Sequence, residues 1–137
     1  MTLTARGKPR QPHVGSSMTW ERVLRPVRHR AVHALRVAAE HGDTGRLGEL
    51  LDPAVAVVVE SGDAENPLIR MVSGTYDAVP VLVHGLSAQR GQVVDERPVN
   101  GYAGLVLSRD DERTAAVTVD FAGRLIRSVW IRLSPQG

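Results

Sequence analysis

The chain has 137 residues, 42% of them hydrophobic, a net charge of +2 and no cysteine. That length fits one domain able to bury a core unaided, and the lack of cysteine excludes disulfides, thiolate metal sites and cysteine nucleophiles. The longest unbroken apolar run, Ala54–Val59, is too short to span a membrane, and no apolar stretch follows Arg6, Lys8 and Arg10 as a secretory signal requires, so a cytoplasmic protein is expected.

Lys8 is the only lysine among seventeen basic residues, a usage typical of a GC-rich bacterial genome. Residues 1–36 carry eight basic side chains against Glu21, a net +7, and the remainder nets −5. Such an arm suits an acidic partner, nucleic acid or the chain's own acidic body. Trp20 is the one Phe, Trp or Tyr within residues 1–36, and no series of aromatics is interleaved for base stacking, so a solvated helix face is the simpler account.

Residues 1–17 mix Gly, Pro, Ser and basic residues without apolar period and are expected to be a disordered basic tail. Residues 18–137 form the expected single domain, and Met18 offers an alternative start. Trp20, Val23, Leu24, Val27, Ala31, Ala34, Leu35 and Ala38 recur at helical spacing. Pro26 is expected to divide them into a short first piece and a main helix to His41, which Gly42 stops. Asp43 N-caps a second short helix through Leu51.

The period then changes to that of strands, at Val55–Glu60 and Leu68–Val72, with a loop at Ser61–Pro67. A third helix is expected from Tyr76 to Gln89, with Asp77 as N-cap so that Pro80 falls in its first turn. Four strands then meander over Gln92–Val99, Ala103–Ser108, Thr114–Phe121 and Leu125–Leu133, joined by turns that include Asn100-Gly101. Helices grouped before long antiparallel strands give an α+β domain.

The stretches "AAEHGDTGRLGELLDPAVAVVVESGD", "VSGTYDAV", "VNGYAGLVLSRD" and "VDFAGRLIRSVWIR" narrow this further. They resemble the SnoaL-like domain found at the C-terminus of actinobacterial extracytoplasmic-function sigma factors, within the ketosteroid-isomerase-like (nuclear-transport-factor-like) superfamily. The resemblance implies a strongly curved, mostly antiparallel sheet wrapped around three helices, with a conical pocket. It also implies that the general-base aspartate of the isomerases has its counterpart at Val59, which cannot take a proton.

The candidate proton shuttles are Glu60, Asp120 and His84, because a carboxylate in an apolar pocket is pushed toward neutrality and an imidazole titrates there already. Asp120 shares a strand face with Thr114, Ala116 and Thr118, a face that either meets solvent or lines the pocket. Trp130 is either an aromatic pocket wall or a core or dimer contact, and Arg132 on its face either meets an anionic ligand or pairs with Glu60 or Asp120. Val59, Tyr76, Leu35 and Leu82 complete the expected ligand-binding set. His29 and His33 have the four-residue spacing of a metal pair, but no Glu follows His29 as a zincin motif requires, so no metal and no cofactor is expected.

These residues support three expectations. The first is a protein that binds a small apolar organic ligand in a sensory or accessory role. The second is an isomerase, cyclase or dehydratase acting by acid–base chemistry on a polyketide- or steroid-like substrate. The third is an interaction module for RNA polymerase or a sigma factor. A homodimer is expected, through the alternating Val and Ile positions of the last two strands, and neither membrane nor nucleic acid is expected as a partner.

Overall fold

A long first helix, α1 (Val14–Glu40), leads into a short second one, α2 (Thr44–Leu50), through a turn whose geometry follows from Gly42 and Asp43. Gly42 takes φ 66°, its amide reaches the Ala39 carbonyl, and the Asp43 amide reaches that of Ala38 at 2.8 Å. These two bonds satisfy carbonyls that the helix end would orphan. The Asp43 carboxylate then accepts the Arg46 amide at 3.0 Å and starts α2.

The computed structural model describes residues 14–63, 65–87 and 91–134, with side chains from residue 27 onward. The tail expected over residues 1–17 lies, up to residue 13, outside the described residues, as do the side chains of Trp20, Val23 and Leu24. The expected break at Pro26 is corrected: α1 is continuous through it. A proline removes one helical hydrogen bond, yet its φ is helical, so flanking turns can carry the helix across. The buried stripe of α1 is also rotated from the expected one. Val32, Leu35, Ala38 and Ala39 are buried, while Val27 is exposed and Ala31 and Ala34 are half-buried.

Six strands follow among the described residues: β1 (Leu51–Gly62), β2 (Pro67–Ser73), β3 (Gln92–Glu96), β4 (Gly104–Arg109), β5 (Glu112–Ala122) and β6 (Leu125–Leu133), with α3 (Thr75–Leu86) between β2 and β3. Their order in the sheet is β2-β1-β6-β5-β4-β3; β1 and β6 run parallel and all other neighbours antiparallel. The sheet is curved and not closed. Register shifts between Leu51 and Ala56, Leu107 and Ser108, and Asp120 and Phe121 supply places for strands to bend.

β1 begins at Leu51, earlier than the β-branched run predicts. Pro53, which cannot donate to a ladder, is accommodated inside the irregular stretch between Leu51 and Ala56. The β1–β2 hairpin is closed by Asp63, whose carboxylate accepts the amides of Glu65 and Asn66 at 3.0 and 2.7 Å. Two boundaries of α3 also differ. Gly74, not Asp77, is the N-cap, so Pro80 lies in the second turn, and the helix ends at Leu86. The expected extension to Gln89 reaches residues outside the described ones.

One face of the sheet carries the helices. Leu35, Leu47, Leu82 and Leu86 meet Val55, Val57, Leu105, Val117 and Val129 in a single buried cluster. The Val and Ile positions of β5 and β6 that were expected to supply a dimer contact (Val117, Val119, Val129, Ile131) are buried in this core instead. Ile126 joins them out of simple alternation, beside the shift between Asp120 and Phe121. No described helix is long and apolar enough to cross a membrane.

A polar clamp ties α1 to β3. Glu96 accepts hydrogen bonds from Arg36 Nε and from His33 Nδ1 at 2.8 Å, and Arg36 also reaches Glu40 at 3.0 Å. Burial pushes the Glu96 carboxyl up, but the hydrogen bonds from Arg36 and His33 outweigh it and hold the group below its ordinary 4.5. A carboxylate depressed in the folded state stabilises above its unfolded pKa, and that contribution disappears as pH falls through the folded value. Urea midpoints of the wild type are therefore expected to fall on acidification from about pH 4.5 downward. Those of Glu96→Gln start lower at neutral pH and change less over that window. Parallel profiles would show that the clamp contributes nothing to acid sensitivity.

Candidate functional site

The helix-bearing face opens at one end into a cavity of about 610 Å³. Its wall is built where the inward alternation of each strand runs out of apolar residues. On β1 the inward set Val55, Val57 and Val59 is followed by Ser61, and on β4 Leu105 and Leu107 are followed by Arg109. Leu107, Ala115 and Leu133 form the apolar part of the lining, and Gly85 of α3 lies across from them. Thr114, Ser134, Gln92 and Asp63 add hydrogen-bonding groups.

The Gln92 and Asp63 side chains, and the backbone of Ser134 and Thr114, are held by hydrogen bonds. The Gln92 amide nitrogen donates to the Ser87 carbonyl at 2.9 Å, tying the start of β3 to the turn after α3. The Ser134 amide reaches the Thr114 carbonyl at 2.8 Å. Among the described residues Asp63 is the one carboxylate of the lining, and it is engaged by the two hairpin amides already described. No described histidine lines the cavity. The chemistry available is hydrogen bonding around an apolar patch, with one guanidinium at the rim.

None of the nine side chains singled out from the sequence lines this cavity. Leu35 and Leu82 are fully buried core residues. Val59 faces inward but packs half-buried against the core, one inward position short of Ser61. Tyr76 is 91% exposed on α3, and His84 is exposed, with its carbonyl accepting the Ser87 hydroxyl at 3.4 Å. Asp120 is exposed opposite Ser128, so the face it shares with Thr118 is the one turned away from the helices.

Glu60, Trp130 and Arg132 do come together, but also on that helix-free face. Glu60 Oε1 accepts the Trp130 indole N–H at 3.1 Å and an Arg132 N–H at 3.4 Å. The pairing of Arg132 with Glu60 is therefore present, and both Trp130 and Arg132 line a second concavity of about 280 Å³ on that face rather than the 610 Å³ cavity. The basic helix face is partly engaged: Arg28 lies 5.7 Å from the centre of the Phe121 ring, and Arg36 is committed to the clamp.

No family model matches the chain, and no curated protein matches it. Solved structures do. The candidate ketosteroid isomerase of Kribbella flavida DSM 17836 superposes with a TM-score of 0.55 at 13% identity, over 82% of this chain and 81% of the other. An NTF2-like protein of unknown function from Burkholderia xenovorans LB400 gives 0.55 at 13% identity over 83% and 88%. The Mycobacterium tuberculosis extracytoplasmic function sigma factor SigJ gives 0.59 at 19% identity, over 87% of this chain and 46% of that one.

Proposed function

The fold is that of the ketosteroid-isomerase-like and NTF2-like proteins, and we propose that this chain uses its open end to bind a small organic molecule. The ligand inferred has an apolar body, to lie on Leu107, Ala115 and Leu133, and a polar or anionic end for the rim group Arg109, with Gln92, Thr114 and Ser134 within the same lining. The observation that carries the reading is the cavity itself. Its volume of about 610 Å³ falls within the range of small-molecule sites, and apolar surface with a few fixed polar groups is how such sites select a ligand. The ligand inferred keeps the mostly apolar character expected from the sequence and adds a polar end for this lining.

Acid–base catalysis finds less support. It needs a proton shuttle beside the bound molecule. Glu60, Asp120 and His84 lie outside the cavity lining, and Asp63 is engaged in closing a hairpin.

The test uses a panel of alicyclic and aromatic molecules with and without a carboxylate, read by thermal unfolding. A true ligand at a hundredfold excess over its Kd stabilises by about 2.7 kcal/mol. Gly85→Phe is the blocking variant. A Cβ at Gly85 meets nothing within 4 Å, so the ring has room to enter the cavity, and replacing a helical glycine does not weaken the helix. Ligand stabilisation is expected to vanish in Gly85→Phe while its own melting temperature holds or rises. A panel without response, or a response that survives in Gly85→Phe, removes the reading.

A further inference from the structure

The second concavity, on the helix-free face, arises where small residues are set among large ones. Its floor is Ala116 and Thr118 of β5. Across the β5–β6 ladder these stand directly opposite Arg132 and Trp130, which form one wall. The other wall is the Val99–Tyr102 hairpin, held by two backbone bonds between Val99 and Tyr102 at 2.8 and 2.9 Å and by positive φ at Asn100 and Gly101. The two aromatic side chains of the lining stay open to solvent: Trp130 is 41% exposed and Tyr102 58%.

Glu60 orders one wall, and the remaining polar groups are unspent. Glu60 Oε1 accepts both the Trp130 indole N–H and one Arg132 N–H, so it sets the ring and the guanidinium relative to each other before any ligand arrives. Among the described residues Arg132 spends no other donor, and the side chains of Asn100, Tyr102 and Thr118 make no hydrogen bond. The amide and both hydroxyls can donate and accept. Glu60 offsets the charge of Arg132, the one charged side chain of the lining. An anion would meet Glu60 as well as Arg132, and a cation Arg132 as well as Glu60, so neither gains much from the pair.

We propose that this concavity binds one neutral pyranose ring, free or as a unit of a glycan. Such a ring presents two kinds of surface. Its faces are C–H groups, which lie against the electron-rich faces of aromatic rings such as Trp130 and Tyr102. Its rim is hydroxyl groups, each both donor and acceptor, and Asn100, Thr118, Tyr102 and the Arg132 fork offer matching groups around the hollow. A wholly apolar ligand would desolvate those groups without pairing them. A volume of about 280 Å³ lies just under the range of drug-sized sites, so one ring is enclosed rather than several. No residue is shared with the lining of the larger cavity, so either proposal can fail without the other.

The test titrates methyl glucoside, galactoside and mannoside, and the matching trisaccharides, by calorimetry and by tryptophan emission. Trp130 is one of the chain's two tryptophans and lines the hollow, so its emission is expected to shift along with the heat of binding. A response to the methyl glycosides assigns the free ring, and a response to the trisaccharides alone assigns a glycan unit. Trp130→Leu is expected to weaken binding at least about tenfold, as loss of an aromatic anchor does. Asn100→Gly suits the positive φ there and removes only the amide, so a loss of about two- to tenfold is expected. Thr118→Phe fills the floor and is expected to abolish binding, with circular dichroism unchanged, whereas Gly85→Phe binds the sugar as the wild type does. Glucuronate and glucosamine are expected to bind no better than glucose. No response to any sugar at millimolar concentration, binding that survives undiminished in Trp130→Leu or Thr118→Phe, or a strong preference for a charged sugar overturns the proposal.

Discussion

Replacing Leu82 with alanine is expected to lower the free energy of unfolding by about 2–5 kcal/mol. Leu82 is fully buried on α3 and belongs to the cluster that joins α1, α2 and the inward residues of β1, β4, β5 and β6. Truncation removes the transfer energy of the deleted methyl groups and leaves a hole that its neighbours, fixed to different elements, fill only in part. Urea denaturation measures the loss directly. The same variant tests which kind of residue Leu82 is. Truncating a side chain that only lines a preformed pocket weakens binding and leaves urea stability nearly unchanged, whereas truncating a core residue does the reverse. A loss below about 1 kcal/mol would contradict the core assignment.

Gly104→Ala is expected to be strongly destabilising although it adds a single methyl group. A Cβ at Gly104 comes 2.3 Å from the Val117 carbonyl oxygen and 3.0 Å from Val99 Cγ2. The carbonyl belongs to β5, paired with β4 and β6, so it cannot retreat without breaking pairing. Val99 is held by two hydrogen bonds to Tyr102 across the Asn100-Gly101 turn, where both residues take positive φ. Moving either neighbour disturbs a hairpin, and a cost of about 1–3 kcal/mol or more follows for a single methyl group. Gly85→Ala is the control: its Cβ meets open space, so stability is expected to hold or improve. Equal stability of the two variants would show that the Gly104 backbone shifts freely.

The fold was legible because its signals are local and repeated. Gly42 and Asp43 end one helix and begin the next by the chemistry of their own side chains and backbone. Asn100-Gly101 makes its hairpin for the same reason. The errors lie where tertiary context overrides a local rule: at Pro26, which α1 passes through, and at Gly74, which replaces Asp77 as the cap.

The site was much less legible. Trp130 and Arg132 alternate with Val129 and Ile131, so both faces of β6 carry large side chains, and nothing in one strand says which face meets the helices. The signal that was present was subtler. On β1 and β4 the inward set turns from aliphatic to polar at Ser61 and Arg109, and the cavity opens at those residues. Gln92 carries no such mark, since its place in the lining depends on how β3 sits beside the end of α3.

The parallel pairing of β1 with β6 bears on synthesis as well as on architecture. β1 acquires β2 early, through a short hairpin, but its other neighbour is the last strand of the sheet. Until β6 leaves the ribosome, the hydrogen-bonding edge of Ala56–Glu60 lacks its native partner, and the core residues of α1 and α3 face an unfinished wall. Contacts so distant along the chain form late, because loop closure must precede them. A nascent chain stalled before Leu125 is therefore expected to engage chaperones, and release of the final strand to coincide with acquisition of protease resistance.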